Sequence, residues 1–317
     1  TPTPDPTPTP TPDPTPTPSW SFDNEPLSQA LWGFDNFGQT IDSSDYGTNG
    51  ADANIANVFD ALSSPESGII DLYSSQNTVA VLDTGVYAGH EDLFDNTFPS
   101  LGYDYVYDST DTYDAQGHGT HVAGTIAAAS NSLGVIGSNP VANIIPVKVL
   151  GDDGFGSTSS ILNGVYHAIN AGAKVLNMSL GSYGYPSAVE WNVYADVYLN
   201  SDTLIVAAAG NDSSYTDGFY YNEPVLYDPY YDEYYWNDYA IDAYPSAYAF
   251  DNIISIGNST NDDTLNWSSN FGPGVDLFAP GTNILSSGNL YPNHYQYFSG
   301  TSMAAPLVAG VSSGFWA

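Results

Sequence analysis

Cysteine is absent from the 317-residue chain, so no disulfide staples it and no thiolate holds a metal. Positive charge is nearly absent as well. Lys and Arg total 2, Lys148 and Lys174, against 36 Asp and Glu, for a net charge of −34. Such a field repels nucleic-acid phosphates and anionic lipid surfaces, which argues against both as partners. No apolar run is long enough to cross a bilayer, and no basic n-region or cleavage site marks a signal peptide. The sequence therefore reads as a processed form or an excised piece. Charged residues make up only 12% of it, leaving Tyr, Asn, Ser and Thr to supply most of the surface polarity. A secreted or extracellular protein, free or attached to the cell surface, is expected. A salty, Ca²⁺-containing or acidic medium would relieve its self-repulsion.

What is present begins with TPTPDPTPTPTPDPTPTP over residues 1–18. Proline at every second position removes donors and favours polyproline II, so this tract is a semi-rigid linker that holds the following domain away from another module. Residues 19–317 have a globular composition. Within Ala51–Leu62, the three- and four-residue spacing of Ile55, Val58, Phe59 and Leu62 predicts a short amphipathic helix. Thr78–Val86 is a continuous apolar run ending in Asp83 and Gly85, as expected of a buried parallel strand that delivers a residue to its carboxyl edge. An Asp at that place equally caps the next turn. Further strands are expected at Asn143–Leu150, Lys174–Gly181, Thr203–Asn211, Asn252–Gly257 and Val275–Gly281, with helices over Thr158–Ala171 and Ala188–Leu199. This alternation predicts an α/β protein of three layers, a mostly parallel sheet with helices on both faces. Right-handed crossovers then set Asp83 and Asn211 along one edge.

Residues 212–243 break the pattern. Tyr227–Tyr239 is rich in aromatics and carboxylates with no helical or strand period, and reads as an inserted surface loop. Its carboxylates can bind Ca²⁺ and its tyrosines can contact substrate, although charge-rich loops more often hold no ligand.

Two glycine-framed segments carry chemistry. Gln116–Ala129 sets His118 between two glycines and His121 a turn further on, ahead of small residues that predict a closely packed helix. The His-x-x-His spacing lacks a third metal ligand. Gly300–Pro306 is a glycine turn that delivers Ser302 to the start of a helix, where free N–H groups and the helix dipole can stabilise an oxyanion. Alone, Ser302 reads as a helix cap. Taken together, Asp83, His118, Asn211 and Ser302 supply what nucleophilic acyl transfer needs: a hydroxyl, an imidazole to take its proton, a carboxylate to orient the imidazole, and an oxyanion donor.

The chain resembles the subtilisin-like serine proteases through VAVLDTGV, GHGTHVAGTIAA, NMSLG, AAAGN and GTSMAAPLVAG, which stand in the family's order across roughly residues 30–317. The resemblance implies a peptidase catalytic domain over 19–317, with Ser302 as nucleophile, His118 as general base and acid, Asp83 as the orienting carboxylate and Asn211 as oxyanion donor. It implies that Gly154, Phe155 and Gly156 form one edge of a cleft for extended peptide and Ser179, Leu180 and Gly181 the other, with Ala208, Ala209 and Gly210 walling a pocket of small, uncharged residues. It also implies a structural Ca²⁺ site, with side-chain oxygens from Asp92 and Asn131, carbonyls of Ala129, Leu133 and Val135, and Gln29 as the N-terminal ligand. Family members continue beyond the equivalent of Gly310, so the domain is expected to be C-terminally truncated.

The expected function is a secreted, monomeric serine endopeptidase acting on polypeptides. Two rival readings are a catalytically weak or inactive fragment that binds polypeptide or surface material, and an acid peptidase of the related sedolisin group. The complete Asp83, His118, Asn211 and Ser302 set argues against the first. Against the second stands His118, because that group uses carboxylate chemistry in place of histidine.

Overall fold

The computed structural model describes residues 22–42, 45–62, 77–216, 226–228, 233–235 and 242–315. The Thr-Pro tract and most of the Tyr/Asp-rich stretch lie outside these residues. The apolar runs form a seven-stranded sheet: β1 (Thr78–Asp83), β2 (Tyr103–Asp104), β3 (Asn143–Lys148), β4 (Val175–Met178), β5 (Leu204–Ala208), β6 (Ile253–Ser259) and β7 (Leu277–Pro280). Its spatial order is β7-β6-β5-β4-β1-β3-β2, and every neighbouring pair is parallel. The helices are α1 (Ile55–Leu62), α2 (His118–Ala127), α3 (Thr158–Asn170), α4 (Ala188–Asn200) and α5 (Thr301–Ser313).

Strand periodicity accounts for the layers. Along β1, Val79 and Val81 enter a core with Val122 and Ile126 of α2 and Met303, Leu307 and Ala309 of α5. Ala80 and Leu82 point the other way, into a core with Leu162 and Val165 of α3 and Tyr194 and Val197 of α4. A strand buried on both faces must be apolar at every position, which is why these runs do not alternate. Phe22, Leu31, Trp32 and Phe34 extend the α2/α5 core, together with Phe59 of α1.

After β1 the chain builds β2 and β3 on one side, then returns across β1 and lays down β4 to β7 on the other. Ligands of open α/β sheets bind outside the carboxyl ends of strands at such a reversal. Asp83, the last residue of β1, stands there.

The predicted helices and core strands occur with ends moved by a few residues. Unexpected elements are β2, an antiparallel hairpin of β8 (Ile284–Ser287) and β9 (Tyr295–Phe298), and a short ribbon pairing Ser182–Tyr183 with Ala243–Tyr244. Nor is the 212–243 stretch free of strands. Leu226–Asp228 pairs antiparallel with Glu233–Tyr235, and its ends join the body, Thr216 N donating to Phe271 O at 2.8 Å.

Candidate active site

Asp83 is buried, and its carboxylate meets His118 at the first position of α2. His118 Nδ1 lies 2.8 Å from Oδ1 and 3.0 Å from Oδ2. Oδ1 also accepts from Thr84 N at 2.7 Å. The imidazole keeps 23% of its side-chain surface open. Its outer nitrogen therefore remains the one available for proton transfer. Burial pulls the His118 pKa down, but the Asp83 charge and hydrogen bond, helped by Asp114, outweigh it and leave the net shift upward.

The segment that presents His118 is gathered by Asp114, a buried carboxylate outside the expected set. Its Oδ1 accepts from Gln116 N at 3.0 Å, Gly117 N at 2.7 Å and Thr84 Oγ1 at 2.9 Å, while Oδ2 accepts from Thr120 N at 2.9 Å and Thr120 Oγ1 at 2.6 Å. Thr84 Oγ1 in turn accepts from Gly119 N at 3.0 Å. One carboxylate thereby satisfies amides at the entry to α2 and ties them to the residue after Asp83. On the other flank, Lys148 Nζ donates to Thr84 O at 2.6 Å and to Asp152 Oδ1 at 3.0 Å.

His121 plays a different part. It is buried, stacks on Phe298 at 4.7 Å between ring centroids, and has Nε2 at 2.9 Å from Ile284 O. Burial pushes its pKa down to about 3, so it is a neutral donor to carbonyls. Among the described residues no three His, Asp or Glu side chains gather as a metal site.

Ser302 is the second residue of α5. Pro306 lacks an N–H, so the Ser302 carbonyl has no helical donor four residues on. Ser179 Oγ donates to it instead at 2.8 Å and itself accepts from Asn177 Nδ2 at 2.9 Å. The Ser302 hydroxyl donates to Ser179 O at 3.2 Å. Among the described residues it makes no hydrogen bond to His118, a contact that in free enzymes often forms only when substrate enters.

Asn211 follows β5 and Gly210, whose φ of 104° suits glycine. Its Oδ1 accepts from Thr301 N at 2.9 Å and Thr301 Oγ1 at 3.2 Å. An N–H facing the amide oxygen turns Nδ2 away, and Nδ2 donates to no described residue. Asn211 N donates to Tyr183 Oη at 2.9 Å. Burial, followed by the hydrogen bond to Asp212, pushes the Tyr183 pKa up to about 12, so it stays a phenol. Thr301 and Tyr183 thus hold the oxyanion candidate, a role their flanking sequence does not signal. Asn270 braces the same turn, its Nδ2 donating to Ala209 O at 2.8 Å.

A groove of about 490 Å³ runs beside His118, lined by Gly154, Phe155 and Gly156 on one edge and Ser179, Leu180 and Gly181 on the other. Phe155 is exposed. Ala208, Ala209 and Gly210 are not among its lining residues; Ala208 ends β5, and Ala209 and Gly210 carry the chain on to Asn211.

The calcium candidates divide. Asp92 is buried, Oδ2 accepting from Val135 N at 3.0 Å and Tyr295 Oη at 2.8 Å while Oδ1 has no partner. Burial pushes its pKa up to about 7. Asn131 Oδ1 accepts from Leu133 N at 2.8 Å within the 129–135 loop. Gln29 is exposed, its carbonyl accepts from Gln39 Nε2 at 3.3 Å, and among the described residues its side chain makes no hydrogen bond to this loop. Glu25, two residues before Leu27 whose N donates to Gly134 O at 2.9 Å, does reach the loop: it is buried, Oε1 accepting from Ser130 Oγ and Ser132 N, each at 3.2 Å, and Oε2 has no partner. Two orphaned carboxylate oxygens beside a loop of amide and carbonyl oxygens fit a hard cation.

A family model described as the subtilase family matches residues 74–314. A thermophilic serine proteinase of Bacillus sp. (strain AK1) is 37% identical over 76% of this chain and 52% of its own length, so the chain spans about half of that relative. Subtilisin BL of Lederbergia lenta is 38% identical over 74% of each protein. The crystal structure of a cold adapted subtilisin-like serine proteinase matches with a TM-score of 0.61 at 30% identity, covering 89% of this chain and 83% of that one. With Asp83, His118, Asn211 and Ser302 placed on the strand ends and helix starts described above, the chain belongs to the subtilase family.

Proposed function

We propose that the chain is a serine endopeptidase that cuts polypeptides outside the cell. The observation that carries the reading is the two-oxygen contact of Asp83 with His118 Nδ1, in a chain whose Ser302 is bonded to Ser179 of the groove that His118 lines and whose Asn211 is bonded to the neighbouring Thr301. Ser302 Oγ attacks the scissile carbonyl carbon as His118 Nε2 takes its proton. The tetrahedral oxyanion is met by Asn211 Nδ2 and Ser302 N. His118 then gives the proton to the leaving amine, the C–N bond breaks, and an acyl ester on Ser302 remains. Water, deprotonated by His118, attacks the ester, and its collapse returns the proton to Ser302. Asp83 stays ionised throughout and stabilises the imidazolium. For this step the Ser302 hydroxyl has first to give up its hydrogen bond to Ser179 O.

The reading extends to a structural Ca²⁺ held by Asp92, Glu25 and Asn131 with carbonyls of the 129–135 loop. Such an ion would tie the N-terminal segment to the loop after α2 and neutralise the two buried carboxylates. It has no part in bond cleavage. The Thr-Pro tract is proposed as a tether to another module, and the chain as a monomer.

Incubation with an unfolded, Lys- and Arg-free polypeptide tests the protease reading. New amino termini are expected to appear with the wild-type chain and to fall by several orders of magnitude in Ser302→Ala. Equal cleavage by both proteins would refute it.

A further inference from the structure

The groove beside His118 contains one ionisable acid among its lining residues, Glu190, in the first turn of α4. A glutamate three residues after a serine cap usually returns its carboxylate to the cap N–H. Here Ser187 Oγ does accept from Glu190 N at 3.4 Å, but Ser187 N donates to Tyr248 Oη at 3.2 Å. The Glu190 carboxylate is free to reach across. Its Oε1 accepts from Thr158 Oγ1, at the start of α3, at 3.2 Å, and its Oε2 accepts from Tyr248 Oη at 3.1 Å.

Both donors are neutral, so no countercharge meets the carboxylate. The two lysines of the chain are engaged elsewhere, Lys148 with Asp152 at 3.0 Å and Lys174 with Asp202 at 2.6 Å. After burial itself, the charge on Glu190 is the next cause that raises the pKa values of Tyr194 and Tyr248 behind it. Leu150, Ile161 and Leu180 line the same groove. Apolar walls leading to an uncompensated carboxylate suit a long side chain with a methylene stem and a cationic head.

We infer that Glu190 makes the substrate groove selective for a lysine or arginine side chain of the polypeptide at one subsite, its stem along Leu150, Ile161 and Leu180 and its head on the carboxylate. This inference rests on the protease reading and names its substrate class more narrowly. The diffuse field of the acidic chain favours cationic peptides wherever their charge lies. Glu190 favours the charge at one position.

The test uses the full chain, its competent sites counted by titration with an organophosphonate, and quenched fluorescent peptides that differ at a single position. Lys, Gln or Glu is placed at each position in turn around the bond cut. At one position the wild type is expected to favour Lys over Glu in kcat/KM on the order of tenfold or more, less so at high salt. The ratio should fall towards one in Glu190→Gln and invert in Glu190→Lys. Each ratio is internal to one protein, so a variant that folds in part still reports it. Cleavage by the wild type with a Lys/Glu ratio equal at every position, or a positional ratio unmoved in both variants, would overturn the inference and leave the protease reading standing. Failure of the wild type to cut any peptide would remove both.

Discussion

As the proposed general base, His118 can take a proton only while its outer nitrogen is unprotonated. Asp83 holds the imidazole above its ordinary value of 6.5, against the opposing effect of burial, so the acid limb of a kcat/KM profile is expected above pH 6.5. In Asp83→Asn the charge is gone and burial dominates, so the limb should move below 6.5 while kcat drops by about 10⁴. A limb that stayed in place would disconnect Asp83 from the titrating group. In Asn211 the amide oxygen is held by Thr301, leaving the amide nitrogen to meet the oxyanion in the proposed mechanism. Asn211→Ala should lower kcat on the order of 10²–10³ with little change in KM, the size of effect known for the oxyanion asparagine of subtilisin. Tyr183→Phe removes the acceptor of Asn211 N and should lower kcat by about threefold to tenfold, a positioning effect of roughly one hydrogen bond. If KM rose instead, Tyr183 would belong to ground-state binding.

At the scale of elements, the site depends on how closely α2 sits on the end of β1. A Cβ on Gly119 would run into Gly85 O and lie 3.0 Å from Asp83 Cβ. Gly119→Ala must therefore separate helix from strand, and a loss of at least about 2 kcal/mol in urea unfolding is expected. Asp114→Ala strands the amides of Gln116, Gly117 and Thr120 and should cost about 3 kcal/mol or more. The same elements differ in how plainly the sequence marks them. Val79 to Leu82 announced a buried strand because a strand covered on both faces has to be apolar throughout. Tyr103–Asp104 is two residues at the sheet edge and carries no such pattern. Asp83, His118 and Ser302 stand out as candidates in the sequence because each lies within two residues of a glycine that a turn or close packing requires. Thr301 and Tyr183 act through contacts between distant segments, which no local period records, and Asp114 gathers its own turn and reaches Thr84 thirty residues away without any period to mark it. Glu25 and Gln29 are both polar residues near the start of the domain, and only the path of the chain past the 130–132 loop separates them.

The whole molecule carries −34 with two cationic side chains, so repulsion between unpaired carboxylates opposes the compact state. Added NaCl should raise the thermal midpoint by screening it. Ca²⁺ should raise the midpoint at micromolar to millimolar levels too low for screening, and chelation should lower it. The specific part of that response should vanish in Glu25→Gln and Asp92→Asn. Equal responses to Ca²⁺ and Mg²⁺, retained in both variants, would reduce the effect to general screening.

In the proposed mechanism Ser302 is a nucleophile activated in the folded chain. Incubation with an organophosphonate followed by peptide mass analysis tests it directly. One phosphonyl group per chain is expected, on Ser302, with no labelling of Ser302→Ala and a labelling rate that follows the deprotonation of His118. A folded chain that remains unlabelled, or a label carried equally by Ser302→Ala, would rule Ser302 out as the nucleophile.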